Sequence, residues 1–399
     1  MIRHLAPIQW VTLIFKAQGE RIFYFSNCST IVEDYLLKTN AAVNQNNVRN
    51  NYGVEYWACA DGIRGFACLN VLIAHAVTLF FNESAPYLAG SGKIGVWLFF
   101  VLSAFLLTRK FINTKLSLSS LLDYIGSRFI RIIPLYVIAV LVYKLLGTTE
   151  IVSWKDVEDA IFLRQGFSHL WTVAVEFKFY LYLPFFAFAF INLSSTWLLS
   201  VISLICLVLI EQISHPYWLT SINSINVNDY LTPFTLGVFS ATFYEKLKPY
   251  VTATSATWVG IATMIFCIML LPGVKNFFLG LPLDLSLANK FVYFGFLWAV
   301  FIIYTIDGIG LFGKILRTRM FRVIGNWSYS IYLFHWLVFM KYIILWPHNY
   351  IAMLCATVSA IFLGGFSYYI LEKNLQQFRH HMQSQFIKTK LGQVVFARQ

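Results

Sequence analysis

Asp61 to Phe81 reads DGIRGFACLNVLIAHAVTLFF. At about 1.5 Å of rise per residue the stretch is long enough to cross the ~30 Å hydrocarbon core of a bilayer. It nevertheless carries Arg64 near one end and His75 in its middle. An ionisable side chain inside a spanning helix is costly, so each marks a candidate functional position. Eleven steps of about 100° close roughly three turns, which puts Arg64 and His75 on one face, about 16 Å apart along the axis. The helix therefore presents one polar stripe with groups at two depths.

The rest of the chain fits that helix. Of 399 residues, 58% are hydrophobic and 12% charged, with mean hydropathy +0.66. Soluble domains are about a quarter charged, so the composition implies a polytopic membrane protein. Apolar segments of spanning length fall near 63–81, 94–111, 130–147, 171–193, 196–213, 230–246, 256–272, 288–306, 327–346 and 350–372. The expected fold is all-α, with about ten transmembrane helices in a domain over residues 57–373. Residues 1–56 are an N-terminal extension, with an interfacial amphipathic helix expected near Ile8–Phe25. Residues 374–399 form a basic tail. Arg3–Phe15 is too short for a signal peptide and is followed by Lys16, Glu20 and Arg21 without a clear cleavage site. The six cysteines are scattered without metal-ligand spacing and read as small core residues.

The formal charge of +12 is a topology signal rather than a nucleic-acid one. With ten spans, Arg3, Lys16, Arg21, Lys38 and Arg49 share one side with Arg109, Lys110, Lys115, Arg128, Arg131, Lys246, Lys248, Lys314, Arg317, Arg319 and Arg322. The tail adds Lys373, Arg379, Lys388, Lys390 and Arg398. The opposite loops hold few basic residues: Lys93, Lys155, Arg164, Lys275 and Lys290. The positive-inside rule makes that side cytoplasmic and places both termini there. Arg64 then lies near the cytoplasmic face and His75 about halfway through.

Each polar residue in the spans has a functional and a structural reading. His75 is either a general base or a histidine hydrogen-bonded between helices. Arg64 either grips an incoming phosphate or carboxylate or snorkels to headgroups. Arg128 and Arg131 project from one helix side as phosphate ligands or as topology anchors. Glu176 needs a partner in the membrane and could orient His75, pair Arg64 or meet acceptor hydroxyls. His169 lies at the outer end of that segment. His335 could line a donor pocket or serve in packing. Ser103 lacks a nucleophile-elbow pattern and reads as a helix-packing residue.

In order along the chain, DGIRGFA (61–67), GVWLFFVLSAFLLT (95–108), RFIRIIPLY (128–136), LWTVAVEFKFYLYLP (170–184), SYSIYLFHW (328–336) and LEKN (371–374) resemble the helices of the membrane acyltransferase 3 family. The likeness runs from about Ala60 to Lys373. It departs from the family pattern at Trp97, Ala104, Phe177 and Lys178. The resemblance implies transfer of an acyl group, usually acetyl from acetyl-CoA, to a hydroxyl of a cell-surface carbohydrate or its lipid-linked precursor. It assigns the base to His75 and its arginine to Arg64. The expected site has Glu176 supporting that pair, Arg128, Arg131 and His335 on the donor, and His169 and Trp171 on the acceptor. No metal or bound cofactor is expected. The expected partners are acyl-CoA, the glycan acceptor and membrane lipid, in a bacterial inner membrane. Any second acyl-relay step is expected on another protein. The rival readings are a flippase for lipid-linked glycans, for which no repeated halves are visible, and an inactive relative acting as an assembly partner.

Overall fold

The computed structural model describes residues 57–114 and 117–378, with the short stretches 15–17, 20–22, 48–49 and 55–56. The chain divides into two compact units, Met1–Tyr56 and Trp57–Gln399. In the first unit Phe15–Ala17 pairs antiparallel with Glu20–Ile22, and Val48–Arg49 with Glu55–Tyr56. The amphipathic helix expected near Ile8–Phe25 is thus interrupted by strand at 15–17 and 20–22. The rest of that stretch, like residues 379–399 of the basic tail, lies outside the described residues.

The second unit is built from helices. In order these are α1 (Ala58–Phe80), α2 (Ser91–Thr114), α3 (Leu118–Leu146), the short α4 (Trp154–Ile161), α5 (Trp171–Leu193), α6 (Trp197–Ser214) and α7 (Leu231–Leu247). There follow α8 (Ala253–Met269), α9 (Pro272–Leu279), α10 (Phe291–Thr305), α11 (Gly310–Leu316), α12 (Arg319–Leu345) and α13 (Tyr350–Ser367). Local chemistry sets several ends. Ser117 caps α3 by accepting from Ser120 N, and Gly147 closes it in a left-handed turn, as the orphan N–H and C=O groups at helix ends require.

Among the described residues, seven helices are long and apolar enough to cross a membrane, or up to nine if each of two bent pairs is one span. The expected ten are not reached, for physical reasons. The apolar segment at 256–272 becomes α8 and α9, bent by 77°, where Pro272 has no N–H to continue the ladder. The segment at 288–306 continues as α10 into α11 with an 84° bend. Gly308 and Gly310, at φ +76° and +68°, supply the left-handed backbone of that corner. The segment at 230–246 is α7, whose 17 residues reach only about 25 Å.

Burial sorts the bundle. The α2 window is 72% buried and that of α6 17%, so α2 runs through the middle and α6 along the rim. Of the cysteines, Cys59 and Cys68 are buried, but Cys206 and Cys355 are exposed rather than in the core. The most extensive contact is between α1 and α12. It depends on bare backbone. A Cβ on Gly65 would lie 2.0 Å from Phe321 O, and one on Gly325 would lie 1.7 Å from Asp61 O. Small residues allow this approach where lipid offers no hydrophobic drive between helices. From that crossing the two helices run on together to His75 and His335, so the polar stripe of α1 lies along α12 from Phe321 to His335.

Candidate active site

The C-terminal end of the α1 stripe meets a second histidine. His75 Nδ1 lies 2.9 Å from His335 Nε2 on α12, and the rings are parallel within 2°. His335 Nδ1 lies 2.8 Å from Tyr332 O, one turn back. A carbonyl oxygen only accepts, so His335 Nδ1 carries the hydrogen. With both rings neutral, His335 Nε2 holds a lone pair and accepts from His75 Nδ1–H. The remaining lone pair of His75 sits on Nε2. That nitrogen lies beside Gly92, where an added Cβ would be 3.5 Å away. This is the arrangement of a general base whose tautomer is set by a partner on its other nitrogen.

His75 lines a cavity with Lys93, His169, Trp171, Tyr332 and Trp336. Aromatic packing holds the imidazoles. Trp336 meets His75 edge-on at 5.4 Å and stacks on His169 at 5.6 Å. His169 is 4% exposed. Its Nε2 shares Leu333 O, at 3.3 Å, with the Tyr143 hydroxyl, and its Nδ1 is buried with no hydrogen-bond partner among the described residues. Among the described residues no group of His, Cys, Asp or Glu is arranged to hold a metal ion.

A second cavity lies toward the other end of the stripe and is lined by Arg64, Arg128, Arg131, Ser103, Glu176 and Tyr180, among others. Arg64 Nη1 donates to Asp61 Oδ1 at 3.0 Å. Arg128 and Arg131, three apart on α3, share one helix side. The Arg128 guanidinium packs over the Tyr180 ring at 5.9 Å, and its Nε is buried with no hydrogen-bond partner among the described residues. Glu176 accepts from Ser103 Oγ at 2.7 Å and from the Tyr180 hydroxyl. Three guanidiniums thus face a space whose one lining carboxylate is already occupied by hydroxyl donors. Such a surface suits phosphate.

Val96 and Tyr332 line both cavities. Between them the Tyr332 hydroxyl donates to His169 O and accepts from Thr172 Oγ1 at 2.7 Å. The two spaces are therefore neighbours across a thin side-chain wall.

The structure groups the residues singled out in the sequence differently from their expected roles. His75, His169 and Trp171 meet in one cavity; Arg64, Arg128 and Arg131 meet in the other. Glu176 sits with the arginines and has no hydrogen bond to His75. It is five residues beyond Trp171 on α5, about 7.5 Å further along the axis. His335 does not line the arginine cavity, because both ring nitrogens are taken up by His75 and Tyr332. His75 is not midway along its helix either. α1 ends at Phe80, so the base lies about 7.5 Å from that end. Ser103 is a hydrogen-bond donor to Glu176 rather than mere packing. Sequence reasoning missed Tyr180, Tyr332 and Lys93. Lys93 left a signal, a basic residue at the start of a span on the side where such residues are few.

A family model described as an acyltransferase domain (Acyl_transf_3) matches residues 57–371. The chain is similar to the O-acetyltransferase OatA of Staphylococcus aureus, in strains NCTC 8325 / PS 47 and COL. The identity is 27% over 323 residues, covering 71% of this chain and 51% of each relative. The chain spans about half the length of these curated relatives. No solved structure matches significantly.

Proposed function

Because the chain belongs to the acyltransferase 3 family, we propose that it is an integral-membrane O-acyltransferase. It moves an acyl group, acetyl first, from acyl-CoA to a hydroxyl of a cell-surface carbohydrate or its lipid-linked precursor. The observation that carries this reading is the His75–His335–Tyr332 O chain, which leaves His75 Nε2 as a bare lone pair facing a cavity walled by Trp171 and Trp336.

A sugar hydroxyl is a weak nucleophile until a base takes its proton. His75 Nε2 accepts that proton as the hydroxyl oxygen attacks the thioester carbonyl carbon. The positive charge that forms on His75 is shared along Nδ1–H to His335. The C–S bond then breaks, the ester stays on the sugar, and CoA leaves as the thiol with the proton returned from His75. On the donor side, the phosphates of CoA meet Arg64, Arg128 and Arg131 in the inner cavity. The acyl-pantetheine arm passes Val96 and Tyr332 to reach the base. Ser103, Tyr180 and Glu176 hold the donor cavity's polar wall. The protein lies in the plasma membrane, with the basic loops and both termini in the cytoplasm. A C-terminal reporter should therefore read as cytoplasmic; an external reading would put the arginines on the wrong side for the donor.

The purified protein, given labelled acetyl-CoA and candidate glycans, should release CoA in step with label entering glycan. Glycan movement without CoA consumption would favour transport instead. Arg128→Ala and Arg131→Ala should each raise KM for acetyl-CoA by about tenfold or more, as loss of a hydrogen bond to a charged group implies. An unchanged KM in both variants would remove these residues from donor binding.

A further inference from the structure

Lys93 is a feature of the outer cavity that transfer to a neutral sugar leaves unused. It stands in the first turn of α2 and lines the cavity with His75. Its Nζ is buried and has no hydrogen-bond partner among the described residues. The Trp171 ring lies beneath it, 5.0 Å away at the centroid. Glu150 lines the same cavity, but it accepts from Ser168 Oγ at 2.5 Å and forms no ion pair with Lys93. An ammonium group offers three donors, and burying it unpaired is costly. The aromatic face recovers only part of that cost. The N-terminus of α2 adds partial positive charge at the same place. The adjoining residue, Gly92, abuts His75 Nε2, so a group held at Lys93 lies next to the base.

We infer that the outer cavity selects an acceptor glycan bearing an anionic group, a carboxylate or a phosphate, close to the hydroxyl that His75 deprotonates. Lys93 is its counter-charge, and Trp171 and Trp336 flank the sugar. The placement of the hydroxyl rests on the acyl-transfer reading; the anion site can be tested without turnover.

The test uses the full chain in lipid nanodiscs, with binding followed by tryptophan fluorescence. The probes are methyl glucuronide, glucose 1-phosphate and neutral methyl glucoside. The wild type should bind at least one anionic probe about tenfold or more tighter than the neutral one, and which anion wins identifies carboxylate or phosphate. Lys93→Met should bring that ratio close to one, and Lys93→Arg should keep most of it. Lys93→Met should melt no lower than wild type, because it removes an uncompensated buried charge; Lys93→Gln is the second variant. Equal binding of charged and neutral probes by the wild type would overturn the inference. So would an anion preference that survives both neutral substitutions. Anion preference with no acyl transfer to any probe would leave the anion site standing and strike the acyl-transfer reading instead.

Discussion

His75→Ala is expected to lower acyl transfer by about a thousandfold while the protein stays folded. A positioned general base contributes about 10²–10⁴ in rate, and His75 Nε2 is the nitrogen whose lone pair the His335 contact sets facing the cavity. The effect should fall on kcat rather than on KM for acyl-CoA, because the donor phosphates meet guanidiniums such as that of Arg64, about 16 Å from His75 along the helix axis. His335 supplies the second half of the test. It acts through His75, holding Nδ1–H by the 2.9 Å contact, so it is a positioning residue. His335→Ala frees the His75 tautomer and leaves its forming charge unsupported, for a loss of roughly a hundredfold; orienting partners of catalytic histidines can cost more than that. His335→Gln, whose amide oxygen can accept from Nδ1–H, should recover part of the rate. A purely structural role for His335 would show no such difference between Ala and Gln variants of equal thermal stability. Full transfer by His75→Ala would end its assignment as base.

Much of this arrangement was legible from period and length. The stripe of Arg64 and His75 follows from 100° per residue, and the order of apolar segments gave the all-helical bundle. What was not legible has two physical sources. Span counting assumes straight helices, whereas Pro272 and the glycines at 308 and 310 turn two apolar segments through 77° and 84°. The second source is sequence distance. His75 and His335 are 260 positions apart, and Ser103 and Glu176 are 73 apart. Local pattern says that a polar residue in a span needs a partner, but not which one. Glu176 could therefore be read as orienting His75, pairing Arg64 or meeting the acceptor, and only the folded chain puts it in the arginine cavity. Lys93 was counted as a loop charge although its ammonium is buried at the site.

The other large effect expected is on assembly of the site itself. Gly325→Ala should destabilise the protein severely and abolish transfer, although Gly325 lines neither of the two cavities described above. Alanine is the better helix former by about 1 kcal/mol, so propensity alone predicts a gain. Packing decides the opposite sign. The added Cβ would lie 1.7 Å from Asp61 O and 3.0 Å from Gly65 N. Both are backbone atoms of α1, so no side-chain rotation relieves the contact. Overpacking costs typically about 1–3 kcal/mol, and a clash between two helix backbones should exceed the upper end. Relief requires α1 and α12 to separate, which pulls His75 from His335 and shifts Arg64 with the rest of the stripe. Gly126→Ala on α3 is the matched control. Nothing lies within 4 Å of a Cβ there, so the propensity gain should stand and thermal stability should be equal or slightly higher. Unfolding of the two variants in lipid nanodiscs, alongside acetyl transfer, reads the difference. If Gly325→Ala melted with the wild type and kept its rate, the close α1–α12 crossing could not be what holds the histidine pair together.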